Sequence, residues 1–440
     1  MNPSITIIGG GLAGCEAAWQ IAERGIPVKL YEMRSAKTTS AHTTGYLAEL
    51  VCSNSLRSNS ISNAAGLLKE EMRVLGSLII NTADETKVPA GLALAVDRVE
   101  FADRITTKIS GHKNIKVIRE EVISIPDNEI VIIATGPMTS EALSDEIIKI
   151  TGNEYLYFYD AIAPIVEYDS LEHDKIFRAS RYNKENTADY LNCPLTKEEY
   201  YNFVDALISG EKYPVKDFEK GIFFEGCMPI EQMAERGRDT LLFGPMKPVG
   251  LVDPHTGKMP FAVVQLRQDN KIGSLYNLVG FQTRLLWKEQ DRTFRMISGL
   301  QNTEFMRYGS MHRNTFINSP GLLKNTNQLK NNPDIFFAGQ LTGVEGYVES
   351  TSSGLITGIN AANYIRGKSV VSPPPDTACG ALLSYISDPK IDKFQPMNIN
   401  YGIISVIDSV KHIRDRKERY AKIADKALIN IKEWKEKYCE

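Results

Sequence analysis

The sequence predicts an α/β protein: a doubly wound parallel sheet, an α+β domain inserted into it, and a C-terminal helical tail. Three observations carry this. The chain opens on a strand, a glycine-rich turn and a helix within "SITIIGGGLAGCEAAWQIAERGIPVKLYEM". A second buried strand, "NEIVIIATGP" (128–137), ends in Ala-Thr-Gly. After a long excursion, "PDIFFAGQLTGVEGYVESTSSGLITGINAANYI" (333–365) returns as strand, glycine-rich turn and small-residue helix. These returns place the first domain at 1–150 and 331–440, tail included, and the inserted domain at 151–330.

Ser4 to Ile8 form a short β-rich run, and Gly9, Gly11 and Gly14 occupy the G-x-G-x-x-G positions, with Gly10, Leu12 and Ala13 completing the turn. Cys15 to Arg24 then put Ala17, Ala18, Ile21 and Ala22 at helical spacing, and the strand Val28 to Tyr31 ends in Glu32. Such glycines let the backbone approach a pyrophosphate held at the helix N-terminus, and an acid 18 residues past Gly14 can accept from a ribose hydroxyl. With strand, helix and acid all in place, the triplet reads as a Rossmann-like dinucleotide site.

The choice between NAD and FAD is made later in the chain. Simple NAD domains end within one contiguous unit, whereas this chain re-enters its nucleotide fold after the excursion. Gly136, Gly339, Gln340 and Tyr347 lie on the turns that border the re-entry, and a helix starting near Ser350 would aim its positive end at a flavin ring. The expectation is FAD.

The excursion holds short strands and loops, with Gly and Pro punctuation over 244–260. Its charge is uneven: residues 141–239 carry 21 acidic and 11 basic side chains, and residues 240–330 carry 12 basic and 5 acidic. The resulting +7 segment on a chain of net charge −3 suits a phosphate backbone. Lys247, Arg267, Arg284, Lys288, Arg292 and Arg313 are its RNA-binding candidates, against the plainer reading of an uneven surface. "VVSPPPDTACG" (370–380) reads as a rigid connector. Beyond it "SVIDSVKHIRDRKERYAKIADKALINIKEWKEKY" (405–438) reads as one helix whose stripe of Val406, Val410, Ile413, Tyr420, Ile423, Ala424, Ala427 and Ile431 is expected to pack on the first domain with its basic face in water.

The six cysteines are scattered, with no CxxC pair, which argues against a zinc site or a disulfide framework and for a reducing cytoplasm. No apolar run is long enough for a membrane span, and the early strand leaves no room for a signal peptide. A monomer or weak oligomer without metal is expected. "ELVCSNSLRSNS" (49–60) makes a poor helix and a poor strand, so Cys52 sits in a loop beside hydroxyls, amides and Arg57, a setting that suits a thiolate. Cys227 lies in a Gly-Cys-Met-Pro turn of the inserted domain.

These stretches, with "NAAGLLKEEMRVLGSLI", "PAGLALAVDR", "FEGCMPIE", "GPMKPVGL", "AVVQLRQDN", "LVGFQTRL", "RYGSMHRNTFINSP" and "FAGQLTGVEGYVES", closely resemble the folate- and FAD-dependent tRNA (uracil-5-)-methyltransferases, the TrmFO family. The resemblance runs from residue 4 to beyond 360. It implies a flavoprotein that forms 5-methyluridine at uridine-54 in the T-loop of tRNA, with methylenetetrahydrofolate as carbon donor and NADPH or NADH as electron source. On that basis Cys227 is expected to attack uracil C6 and Cys52 to act beside the flavin, as proton acceptor or as its protector. Exchange of these two roles stays open, as do a ribosomal RNA uridine as target and a flavin-dependent thiol oxidoreductase as activity. Tyr347 is expected to stack on the pterin.

Overall fold

The computed structural model describes residues 4–37, 39, 41–152, 155–161, 163–181, 188–213, 228–309, 311–391, 394–405, 410 and 413–439, with backbone alone over 155–161 and 311–314. Strands β1 (Ile5–Ile8) and β2 (Val28–Tyr31) flank the helix α1 (Leu12–Glu23). They belong to a five-stranded parallel sheet in the order Ile335–Phe337, Ile130–Ile133, β1, β2, Ile115–Ile118. Every residue of β1 is buried, as a parallel strand covered on both faces requires.

α1 begins three residues earlier than the apolar spacing suggests, because Gly14 is a packing residue inside the helix rather than part of the loop. A Cβ there would stand 1.8 Å from the Gly9 carbonyl oxygen, so only glycine lets this turn of helix lie on the strand end. The helix Tyr347–Ile365 packs on α1 by the same device. A Cβ on Gly354 would stand 2.2 Å from the Ala13 carbonyl oxygen, and one on Gly358 2.7 Å from that of Ala17. This helix starts at Tyr347 rather than near Ser350, with Gly346 at its N-cap at φ +112°.

Residues 165–307 build a six-stranded antiparallel sheet, Phe177–Ala179, Tyr190–Leu195, Ala262–Gln268, Leu275–Leu278, Ile165–Glu167, Phe305–Arg307. Phe203, Phe281 and Phe294 fill its core with Tyr200 and Leu266. The tail helix Arg416–Tyr438, capped by the Asp415 carboxylate, buries Ile423, Ala424, Ala427, Ile431 and Trp434 in the core of the parallel sheet's helices. The stripe from Tyr420 on packs inward as the spacing predicts, but the helix starts only at Arg416: Ile413 is buried ahead of it, and Val406 lies outside the described residues.

Candidate active site

A cleft lined by Gly9, Gly11, Glu32, Arg34, Thr135 and Met138 opens over the carboxyl ends of the parallel strands. Gly9 takes φ +110°, and a Cβ on it would stand 2.5 Å from the Ala134 carbonyl oxygen. Gly11 caps α1 without a side-chain hydrogen bond, and a Cβ there would meet nothing within 4 Å. Leu12 and Ala13 are buried behind it. Free helix N–H groups facing room on the cleft side fit the pyrophosphate of FAD. Gly136 at φ +64° starts the turn after Ile130–Ile133, also with open space at its Cβ position.

Glu32 lies in this cleft, but its carboxylate is already engaged. Oε2 accepts from Gly10 N at 2.9 Å and Arg34 Nη2 at 3.1 Å, and Oε1 from Arg34 N at 3.0 Å and Nε at 2.9 Å. Burial opposes the charge, and the Arg34 hydrogen bonds and charge overcome it, leaving the carboxyl below its ordinary range. Glu32 thus fixes the glycine turn from beneath. With both oxygens filled, a ribose hydroxyl finds an acceptor there only if Arg34 moves.

Gly339 takes φ +76° and donates its N–H to Ser353 Oγ at 3.0 Å, tying the turn to the helix Tyr347–Ile365. Gln340 is held by Glu345, Nε2 to Oε2 at 2.8 Å. Tyr347 reaches from the first turn of that helix to the cysteine loop. Its hydroxyl oxygen accepts from Cys52 N at 2.7 Å and Ser53 N at 3.4 Å. Burial pushes the phenol well above its ordinary value, so it remains a neutral acceptor.

The loop is held from a second side by guanidinium groups. Arg98 donates to the carbonyls of Leu50 at 2.8 Å and Cys52 at 3.2 Å while forming an ion pair with Asp269 at 2.9 Å. Arg307 donates to the carbonyls of Val51 at 2.8 Å and Cys52 at 3.2 Å. Arg267 donates to Ser53 Oγ at 2.6 Å and Asn54 Oδ1 at 3.0 Å. Asp269, Arg267 and Arg307 come from the antiparallel sheet, so the loop is where the two sheets' residues meet. Cys52 itself is half-buried, whereas burial pushes the fully buried Cys15 and Cys193 thiols well up.

Three expectations change. The stretch 49–60 is loop only as far as Asn54, since Ser55–Ser58 pairs as a strand with Ala93–Val96; Arg57 on that strand pairs with the buried Glu349 at 2.5 Å, and Arg98 and Arg307 are the cations on the Cys52 backbone. Arg267 is only 7 % exposed and supports the cysteine loop, so it is removed from the RNA candidates. The Tyr347 hydroxyl also holds the cysteine loop, a contact that leaves its expected place on the pterin as it was. Among the other candidates, Lys288 and Arg292 are exposed, and Arg292 pairs with Glu289 at 2.6 Å. Lys247 is half-buried, and Arg284 stands 3.8 Å from the buried Glu231. Cys227 lies outside the described residues, as does the side chain of Arg313. Arg98, Asp269 and Arg307 all fall within stretches that carry the family resemblance, which was the available signal for them.

Curated relatives match along nearly the full chain. A methylenetetrahydrofolate--tRNA-(uracil-5-)-methyltransferase TrmFO of Bacillus pumilus is 60% identical over 431 residues, 98% of each chain. The protein of that name from Geobacter sulfurreducens is 58% identical over 434 residues, 99% of each. The chain belongs to the TrmFO family. In keeping with that, a family model described as glucose inhibited division protein A matches residues 4–369. A solved structure of Aquifex aeolicus GidA superimposes with a TM-score of 0.72 at 16% identity, covering 100% of this chain and 74% of that one. At that identity the likeness is one of fold.

Proposed function

We propose that the chain forms 5-methyluridine in tRNA, taking carbon from methylenetetrahydrofolate and electrons from NADPH or NADH, with FAD bound in the glycine cleft. Uridine-54 of the T-loop is the target, and the cytoplasm is the compartment, a reading supported by the scattered cysteines without a CxxC pair. The observation that carries the reading is the seat of Cys52. Its backbone N–H rests on Tyr347 at the start of a helix that also packs on α1, so the loop and the dinucleotide turn share one rigid support.

Uracil C5 is a weak nucleophile until a group adds at C6. A thiolate bonded to C6 pushes electron density to C5, which bonds to the methylene carbon while one of that carbon's two folate nitrogens leaves with its electron pair. The C5 proton then passes to a base as the second folate nitrogen leaves, a hydride equivalent converts the exposed methylene to methyl, and the C6–S bond breaks to return the thiolate. When bound, FAD supplies the two electrons that take the transferred carbon to a methyl group. In this reading Cys227 is the C6 nucleophile and Cys52 the group beside the cofactor that takes the proton. Arg98, Arg307 and Tyr347 hold the Cys52 backbone and so fix where its sulfur points.

Labelled methylenetetrahydrofolate, NADPH and an unmodified tRNA transcript should give labelled 5-methyluridine; no label in that nucleoside overturns the proposal. With 5-fluorouridine RNA, Cys227→Ala should form no covalent adduct, while Cys52→Ala should form one without methylated product. The reverse pattern would exchange the roles.

A further inference from the structure

The antiparallel sheet ends in an aromatic ladder that no step above uses. Trp287, the first residue of the helix Trp287–Phe294, is 58% exposed. Its ring stacks on Tyr308, with centroids 5.8 Å apart and planes at 18°. Tyr308 in turn stacks on Phe305, at 5.2 Å and 23°, and Arg295 lies 5.5 Å over the Phe305 ring. Offset stacks at these separations are the favourable aromatic geometry. The ladder is rigidly mounted: Gln290 Nε2 donates to the Gly309 carbonyl at 2.9 Å, and Gly309 N donates back to Gln290 Oε1 at 2.7 Å. Among the described residues, the Trp287 ring stacks on Tyr308 alone and leaves more than half of the residue's surface in water.

Its position matters more than its exposure. Tyr308 directly follows Arg307, whose guanidinium holds the Val51 and Cys52 carbonyls. Phe305 and Arg307 lie on one strand and Tyr308 directly follows it, so the ladder shares the backbone that anchors the cysteine loop. Lys288 stands next to Trp287, and Arg292 lies one turn along the same helix, both exposed.

We infer that Trp287 is a stacking platform for an unpaired base of the RNA substrate, with Lys288 and Arg292 against the flanking phosphates. RNA loops are recognised by splaying bases onto aromatic faces beside cations. The exposed indole face and the two neighbouring exposed cations together fit a nucleotide better than an apolar protein surface. The inference rests on the tRNA reading above and extends it to a particular contact.

The test compares Trp287→Ala, Trp287→Phe and wild type, each checked for full flavin content, by affinity for an unmodified tRNA transcript and by KM for methylenetetrahydrofolate. Stacking on one base predicts roughly a tenfold weaker tRNA affinity in the alanine variant, with most of it regained by phenylalanine and folate KM unmoved. Lys288→Gln with Arg292→Gln should flatten the salt dependence of tRNA binding by about 0.7 to 0.9 per side chain. In wild type, bound tRNA should also protect Trp287 from acrylamide quenching. Unchanged tRNA affinity in Trp287→Ala overturns the inference, as does a rise confined to folate KM or a phenylalanine variant as weak as alanine. Failure of wild type to make 5-methyluridine would instead sink the reading beneath it, since RNA affinity is measured separately.

Discussion

The glycine turn and the cysteine loop lie on one support but are specified in opposite ways. The turn is built from neighbours in the chain, Gly9 to Gly14, and the hydrogen bonds that reach it from outside come from Tyr31, Glu32 and Ala48, close by in sequence. The loop around Cys52 is built from strangers: Arg98, Arg267, Arg307 and Tyr347 reach it across separations of up to 295 residues. A site that binds a common cofactor needs a backbone shape, which a short motif can encode. A site that aims one sulfur needs several long side chains from separate elements, and no local pattern encodes that.

Breaking the turn should have the largest effect. Gly14→Val places carbon atoms where the Gly9 carbonyl oxygen stands, and the turn cannot relax without moving the strand end. The expected product carries no flavin, read from the absence of oxidised-flavin absorbance. Full flavin content in this variant would mean that the cleft over β1 is not the cofactor site.

Next comes the loop's ion pair. Arg98→Ala leaves Asp269, 3 % exposed, without its cation and removes two loop hydrogen bonds. Loss of one partner from such a buried pair costs about 3–5 kcal/mol, measurable by denaturant unfolding. Arg98→Met with Asp269→Leu should recover much of that stability yet remain slow in methylation, because the Leu50 and Cys52 carbonyls still lack their donor. Recovery of both stability and rate would show that the pair only braces the fold.

How much of this was legible beforehand follows from the same contrast. β1, α1 and β2 could be read because each residue's requirement is met by others a few positions away, whereas Gly14, expected to admit a pyrophosphate, instead lets the helix pack on the Gly9 carbonyl. Arg267 was misread for a physical reason. Counting charge over 240–330 registers a guanidinium but not whether it faces water, and this one faces Ser53 and Asn54. Arg98 and Arg307 sat inside stretches that matched the family, yet nothing in their spacing tied them to a loop 46 and 255 residues away. Trp287 had no signal either, since an exposed tryptophan and a core one look alike in sequence.

Tyr347 separates the two explanations offered for it. Tyr347→Phe keeps the ring and removes the oxygen, leaving the Cys52 N–H without its acceptor, which costs about 1–3 kcal/mol locally. The expected result is roughly a tenfold fall in kcat with flavin content and folate KM unchanged. Tyr347→Ala should add a rise in folate KM if the ring also stacks on the pterin. A phenylalanine variant with wild-type kcat would return the loop's positioning to the arginines alone.

The smallest expected effect is a pH dependence at the turn. Glu32 titrates below its ordinary value of 4.5, because the Arg34 hydrogen bonds and charge outweigh the cost of burial. A carboxyl lowered in the fold binds protons less readily there than in the unfolded chain. Its stabilising contribution is therefore complete above about pH 4.5 and is lost as pH falls from 4.5 through the folded value. Protonation also removes acceptor capacity at Oε1 or Oε2, freeing Arg34 or the Gly10 N–H, so flavin should be released over the same acid range. Glu32→Gln carries no such titration. Its flavin affinity should be somewhat weaker than wild type near neutrality, and the gap should narrow as both are taken into acid. Parallel acid profiles for wild type and Glu32→Gln would mean that the turn is held by its own glycines and that Glu32 adds nothing to it.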